Sequence, residues 1–291
     1  MRFAWNCLPV LLCLLCSPAR SEEPAATANE VPTVDELLER AKASIAKVQD
    51  YTAQMLKKER FKNGKLLAES VRFKFSRPFK VYIKFLEPHQ GREVIYIQGA
   101  NENRVRVHKG SFPDLTVNLD PRGGMAMEGN HHPVYHFGLE NTIKLADHNL
   151  KLARKRNEGE FKVSDGGPIG GRPTWKIEVD FPMGGAFTEA RKGETLWEIG
   201  ERVGQDMYLI LYVNKKFDDP DDPDEGDKVF IPRYYGKRAL FHLDKETHLP
   251  LKVQIYDWNG QLYEDFEYRD VKLNPGLSAK DFDSKNPEYN F

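Results

Sequence analysis

Three imidazoles fall within one short stretch, "HHPVYH", at His131, His132 and His136. Imidazole is a common transition-metal ligand and titrates near neutral pH. Here Pro133 interrupts any helix that would align the rings, and no acid stands at a metal-ligand spacing beside them. The stretch therefore reads as a turn with a structural role, and no metal is expected; His242 and His248 are less specific still. "GGPIGG" (Gly166–Gly171) is rich in glycine but has no Lys-Ser/Thr behind it and no strand-loop-helix setting, so it reads as a hairpin turn and not a phosphate cradle. The acidic loop "KKFDDPDDPDEGD" lacks the spacing of a calcium loop and reads as solvated, with repulsion of anionic polymers or weak calcium binding as alternatives. Acids are plentiful, 44 Asp and Glu in all, yet none sits in a recognisable glycosidase pattern. The expectation is a non-enzymatic protein with no catalytic residue and no cofactor.

The first residues run "MRFAWNCLPVLLCLLCSPARSEE", with Arg2, an apolar run from Leu8 to Leu15, and small residues before an acidic stretch. That order is a secretory leader over 1–21, cut after Ala19 or Ser21, and its apolar run is too short for a spanning helix. All three cysteines (Cys7, Cys13 and Cys16) lie in it, so a mature chain has no disulfide and no thiolate chemistry. The leader takes away Arg2 and Arg20 and no acid, leaving a chain slightly more acidic than the whole chain's net charge of −1. That balance excludes a nucleic-acid signature, and no later apolar run is long enough to span a bilayer. A periplasmic or secreted product without a transmembrane segment follows.

Residues 22–30 are small and polar, as suits a flexible lead-in. Thr33 and Glu36 then have capping-box spacing, and Val34, Leu37, Leu38, Ala41, Ile45 and Val48 recur at helical intervals. "VRFKF", "FKVYIKF", "DLTVNL", "WKIEVDF", "LKVQI" and, more loosely, "EDFEY" alternate as half-buried strands, joined by turns such as Asn63-Gly64. Many such strands with few helices predict a curled antiparallel sheet, its concave face covered by the first helix and a second near Leu139–Leu152. The greasy face either fills a core or leaves a ligand cavity; residues assigned to a lipid cavity are Phe73, Phe75, Val81, Ile83, Phe85, Trp175, Val253 and Ile255. "GGMAMEG" (Gly123–Gly129) reads as a loose loop, or as an adaptable lid with two methionines.

The C-terminal segments "LPLKVQIYDWNGQL", "LNPGLSAKDFD" and "NPEYNF" resemble a bacterial exported family known as domain of unknown function 1571, over roughly 31–182 and 234–291. Less closely, the "LPLK" strand, Gly turn and "EYRDVKLNPGLS" are similar to lipoprotein carriers of the LolA/LolB type. That resemblance implies an incomplete barrel capped by helices that holds acyl chains, a fold-level analogy.

Between "WKIEVDF" and "ALFHLDK" the pattern changes. Thr195 and Glu198 form a second capping-box spacing, Leu196, Ile199 and Val203 recur helically, Gly204 stops the turn, Asp206 caps "MYLILYV", and "KVFIP" reads as a strand ended by Pro232. With "EARK" as opening strand, this βααβ unit of about 186–233 resembles a LysM module, which binds glycans containing N-acetylglucosamine; "KGETLW", Ile199, Gly204, Leu211, Asn214, Gly226-Asp227 and Ile231-Pro232 carry the likeness. The resemblance implies a shallow glycan groove formed by Gly193, Glu194, Thr195 and Leu196 on one loop and Asn214, Pro220 and Gly226 on the other. The acidic second loop, without an apolar residue before its Gly, departs from the LysM pattern.

Together these give an α+β protein: a discontinuous LolA-like sheet domain (31–185 and 234–291) with a LysM-like insert in one turn. The function expected is cell-envelope binding, with peptidoglycan strands as partner of the insert and lipid or lipoprotein acyl chains on the concave sheet. The rivals are a peptidoglycan-targeted enzyme of wall turnover, which requires a polar cleft with close acids, and a structural envelope protein with a filled core.

Overall fold

The structure, a computed structural model, describes Met1 and residues 31–291; residues 2–30, which hold most of the expected leader and lead-in, lie outside the described residues. The Thr33 hydroxyl accepts from the Glu36 amide and the Glu36 carboxylate accepts from Thr33, a reciprocal box that starts helix α1 (Val34–Ile45). Its apolar stripe, Val34, Leu37, Leu38, Ala41 and Ile45, is buried. A six-strand meander follows: β1 (Asp50–Arg60), β2 (Leu66–Ser76), β3 (Lys80–Glu87), β4 (Glu93–Ile97), β5 (Val105–His108) and β6 (Thr116–Leu119). After the short helix α2 (Gly124–Met127) and a 3-10 turn at Val134–His136 comes the long helix α3 (Leu139–Arg156), closed by Asn157 in the left-handed conformation.

Strands β7 (Glu160–Ile169) and β8 (Arg172–Asp180) form the hairpin whose tip is Gly170-Gly171. Then β9 (Gly185–Glu189), α4 (Leu196–Val203), α5 (Met207–Val213) and β10 (Lys228–Pro232) precede β11 (Arg238–Asp244), β12 (Pro250–Tyr256) and β13 (Leu262–Leu273). Eleven strands make one antiparallel sheet in the order β6-β5-β4-β3-β2-β1-β13-β12-β11-β8-β7, while β9 and β10 pair only with each other. The edge strands β6 and β7 do not meet, so the sheet is not closed into a barrel. β8 pairs with β11, Asp180 opposite Arg238, and the βααβ unit leaves the sheet where a hairpin turn would otherwise stand.

Register puts most of the apolar residues of these strands on one face. Met55 stands opposite Val71 and Tyr268, Phe73 opposite Ile83, Val253 opposite Phe266, and Val179 opposite Ala239. Directly opposed residues share a face, so these pairs form a continuous apolar floor. Helices α1 and α3 cover it. The entry to α3 is fixed by close approach: the Leu139 amide donates to Tyr51 Oη at 3.0 Å, and Gly138, at φ 109°, would put a Cβ only 2.5 Å from that oxygen. On the opposite face the C-terminal segment lies against the sheet, with Tyr289 stacked on Tyr82 at 3.9 Å and Phe282 packed with Ile95.

The βααβ unit has its own small core of Leu196, Ile199, Met207, Ile210, Leu211, Phe217 and Val229, and its caps are those the sequence predicts: Thr195 with Glu198, and Asp206 Oδ1 accepting from Leu209 N at 2.9 Å. It is not a freely hung module. Leu209 and Tyr212 of α5 pack with Tyr235, Ala239, Val253, Ile255 and Tyr263 of the sheet domain, and Tyr212 Oη donates to Asp257 at 2.8 Å. A helix with two buried faces needs both neighbours.

Leu37 is fully buried and Thr33 exposed. Leu37→Ala is expected to cost roughly 2–5 kcal/mol in urea unfolding, and Thr33→Ala only about 1 kcal/mol. Equal losses would show that α1 is held by its cap and not by the sheet beneath it.

Candidate functional site

The covering helices do not fill the floor. A cavity of about 470 Å³ remains between them and the sheet. Val34 and Leu38 of α1, Ile143, Ala146 and Leu150 of α3, and Met55, Val71, Ile83, Phe85 and Val94 of one half-sheet line it, with Ile177, Val179, Phe241, Val253, Ile255 and Phe266 from the other half. Where the lining reaches solvent it carries the apolar Leu115, Val117 and Met125, 51%, 41% and 74% exposed, together with the exposed Lys109, Glu128 and His136. Met125 lies in α2, so the "GGMAMEG" stretch forms a short helix at the rim of the cavity.

Of the eight residues assigned to a lipid cavity, Ile83, Phe85, Val253 and Ile255 line this one. Phe73, Phe75, Val81 and Trp175 do not, which corrects that half of the assignment. Phe73 meets Phe137 edge-on at 4.8 Å and Phe75 leans on Tyr51 at 5.0 Å, so the chain entering α3 occupies that part of the floor; Val81 is fully buried beside them. Trp175 lies in the first half of β8 under the Lys245 ammonium, 4.2 Å from the ring centre.

Part of the cavity wall is charged. Lys57 and Glu59 continue the inward row of β1 after Met55, Glu69 is opposite Lys57, and Glu264 is opposite Glu59. Lys57 Nζ lies 2.8 Å from Glu69 Oε2 and 3.0 Å from Glu59 Oε2, and donates to Asn130 Oδ1 at 2.7 Å and the Gly129 carbonyl at 2.9 Å. Burial pushes the ammonium's pKa down, but the two carboxylates outweigh it and hold it above its ordinary value. Glu264 Oε1 collects His131 Nδ1 at 2.8 Å, Tyr235 Oη at 2.6 Å and His132 Nε2 at 3.2 Å. Burial opposes its charge, yet His132 and these hydrogen bonds hold its carboxyl well below the usual carboxylate range. For His132, burial is outweighed by Asp206 and Glu264, which lift it well above 6.5; His136 is lowered by burial and by the neighbouring His132 charge.

Two groups among the described residues have metal-ligating atoms within 4.8 Å of one another: Glu59, His131 and Glu264, and His132, His136 and Asp206. The first is sealed. His131 is sandwiched between the rings of Tyr208 (4.2 Å) and Tyr263 (4.6 Å), with Nε2 3.1 Å from the Arg60 carbonyl. The second opens toward solvent at His136. "HHPVYH" does form a turn, but the acid missing beside it in sequence is supplied in space by Asp206, whose Oδ2 is 3.2 Å from His132 Nδ1. Sequence reading missed Lys57, Glu59, Glu69, Glu264, Tyr235 and Asp206. The available signal was strand parity: a charge at the inward parity of an otherwise apolar row.

The residues assigned to a glycan groove do come together. Leu196 N donates to the Pro220 carbonyl at 2.8 Å, tying the two loops. Leu196 is fully buried, Thr195 is used as a helix cap, and Glu194 is held by Arg202 at 2.8 Å. Asn214 donates to the Ile210 and Phe230 carbonyls and accepts from Phe230 N, each at 2.8 Å. Gly193 and Gly226 remain exposed, both at positive φ. The polar groups of Leu196, Pro220 and Asn214 thus face each other and their neighbours instead of an open groove.

Lys57→Met leaves two buried carboxylates without their cation and is expected to lose about 3–5 kcal/mol in urea unfolding. Adding Glu59→Leu and Glu69→Leu to it should recover part of that loss. A near-neutral single variant would mean that water reaches the two acids.

The family profile described as "Protein of unknown function (DUF1571)" matches residues 48–229 and 231–291. The match runs through the βααβ unit, where the sequence reading had set it aside. No curated protein matches the chain. Among solved structures the chain is similar to the Pseudomonas aeruginosa MucA/MucB complex (13% identity, TM-score 0.43, covering 85% of this chain and 59% of that one). It is also similar to the Mycobacterium tuberculosis lipoprotein LppX (11%, 0.39, 84% and 99%) and to a LolA superfamily protein from Nitrosomonas europaea (11%, 0.30, 87% and 98%). The chain spans about 59% of the length of the first of these. With the profile matched over most of its length, the chain belongs to the DUF1571 family of proteins of unknown function.

Proposed function

We propose that this chain is a non-catalytic binding protein of the cell envelope that holds an acyl chain of a lipid or lipoprotein in the cavity between sheet and helices. The observation that carries the reading is the cavity: about 470 Å³, within the roughly 300–1,000 Å³ of small-ligand sites, and apolar over most of its wall. No helix among the described residues is long and apolar enough to cross a membrane. The binding reading is further supported by the state of the acids on the wall. A general acid needs a carboxyl raised toward neutral pH, whereas Glu264 is held low. A periplasmic or secreted site of action belongs to the same proposal.

In this reading the βααβ unit, by its likeness in sequence to LysM modules, meets peptidoglycan at Gly193, Glu194 and Gly226. Titrating the protein with soluble muropeptides in an NMR experiment should move the amide signals of 193–195 and 224–226 and leave those of β12 in place. Shifts absent from both loops would remove peptidoglycan from the proposal and leave the cavity reading standing.

For the cavity, mass spectrometry of the purified protein after organic extraction is expected to find an acyl lipid in stoichiometric amount. Ala146 lines the cavity from α3, so Ala146→Phe should lower the affinity for a fluorescent fatty acid at least about tenfold without lowering Tm. An extract without lipid, together with a wild-type protein that does not take up the probe, would overturn the acyl reading in favour of a structural protein.

A further inference from the structure

We propose that His132, His136 and Asp206 form a binding site for a divalent transition-metal ion such as Zn²⁺, at the junction between the sheet domain and the βααβ unit. This site is independent of the acyl ligand. His132 is held from one side of its ring. Its Nε2 lies 3.2 Å from Glu264 Oε1 and 2.9 Å from Tyr235 Oη. Glu264 is in turn fixed by His131 at 2.8 Å and by the Tyr235 hydroxyl at 2.6 Å. Tyr235 Oη and the carboxylate beside it hold the Nε2 side of the ring, which leaves Nδ1 on the other side facing Asp206. A carboxylate behind one nitrogen of a ligating histidine is the usual outer support of a metal site, since it sets the ring's angle and raises its basicity.

Nδ1 is the atom that lacks a proper partner. It is buried and makes no hydrogen bond, although Asp206 Oδ2 lies only 3.2 Å away, because the contact lacks hydrogen-bond alignment. Two ligands bonded at about 2.0–2.2 Å to a tetrahedral ion sit roughly 3.3–3.5 Å apart, so these two atoms are already close to ligand spacing. Asp206 can serve without giving up its helix, for Oδ1 caps Leu209 N at 2.9 Å and Oδ2 is the free oxygen. His136 completes the set. Its ring centre is 6.5 Å from that of His132 and its ligating nitrogen falls within 4.8 Å of the other two atoms. It is the most exposed of the three residues, which leaves its ring room to turn toward the other two.

Two histidines and one carboxylate leave a fourth position free, as in zinc sites that bind water or a ligand. His132 and His136 both line the cavity. On binding, the ion takes the place of any proton on His132 Nδ1 and that proton goes to solvent, so affinity falls as pH is lowered. The neighbouring group of Glu59, His131 and Glu264 cannot compete, because both nitrogens of His131 already face oxygen acceptors.

The test uses the untagged protein, stripped with EDTA and dialysed, then titrated with Zn²⁺ by calorimetry and with Co²⁺ by visible absorption. One ion per chain is expected, with the intense Co²⁺ bands of a four- or five-coordinate site and a rise in Tm on Zn²⁺ addition. His136→Ala and Asp206→Asn should abolish saturable binding, and Glu264→Gln should weaken it by roughly 10–100-fold. The hydrogen bond that His136 makes is a backbone one, from its amide to the Pro133 carbonyl at 2.9 Å, which alanine keeps, so an unchanged Tm of His136→Ala in EDTA shows that the fold survives. No saturable binding by the wild type, or binding by folded His136→Ala at wild-type affinity, would overturn the site.

Discussion

Charges placed on the inner face of a sheet impose the strictest constraint in this molecule. Lys57, Glu59, Glu69 and Glu264 point into a space that is otherwise apolar, and an unpaired ion there costs several kcal/mol. Each therefore dictates where other segments must lie. Lys57 fixes the chain at Gly129 and Asn130, which places the loop after α2. Glu264 gathers His131, His132 and Tyr235, and so fixes the turn that leads into α3 and the chain that returns from β10 to β11. The apolar floor would accept many arrangements of covering segments; the buried ions accept few.

The cavity follows from the same geometry. An eleven-stranded sheet that stays open offers more concave surface than α1 and α3 can cover. At the Phe73–Phe75 side the aromatic chain around Phe137 fills the gap. Toward β12 and β13 the floor is met by charged residues and by α5, and the space between is left empty. A void lined by branched and aromatic side chains stays dry unless polar groups and room coincide, and here polar groups meet the space along the wall formed by Lys57, Glu69 and Glu264.

Most elements were legible in the sequence because their chemistry is local. Capping boxes at Thr33 and Thr195, the left-handed glycine at Gly204 and the alternation in "FKVYIKF" each depend on residues a few positions apart. The central strand β1 was not legible, and "EDFEY" only loosely so. In β1 the inward row runs Tyr51, Ala53, Met55, Lys57, Glu59, and the last two break the alternation of apolar and polar residues. In β13 Glu264 does the same before Phe266 and Tyr268. The residues that blurred the strand pattern are those that build the charged wall, since a functional inward charge and an outward surface charge are the same letter. Partners such as His132 and Asp206 are brought together only by tertiary structure, which no spacing records.

The βααβ unit is better understood as part of the sheet domain's wall than as a passenger in one of its turns. Its α5 turns Met207, Ile210 and Leu211 to its own core and Leu209 and Tyr212 to the sheet, where they press on Tyr235, Ala239, Val253 and Ile255, all of which line the cavity. Tyr208 stacks on His131, and Asp206 meets His132, so both histidines that hold Glu264 are held in turn by this unit. Removing the unit would expose Tyr263 and uncover one side of the charged network.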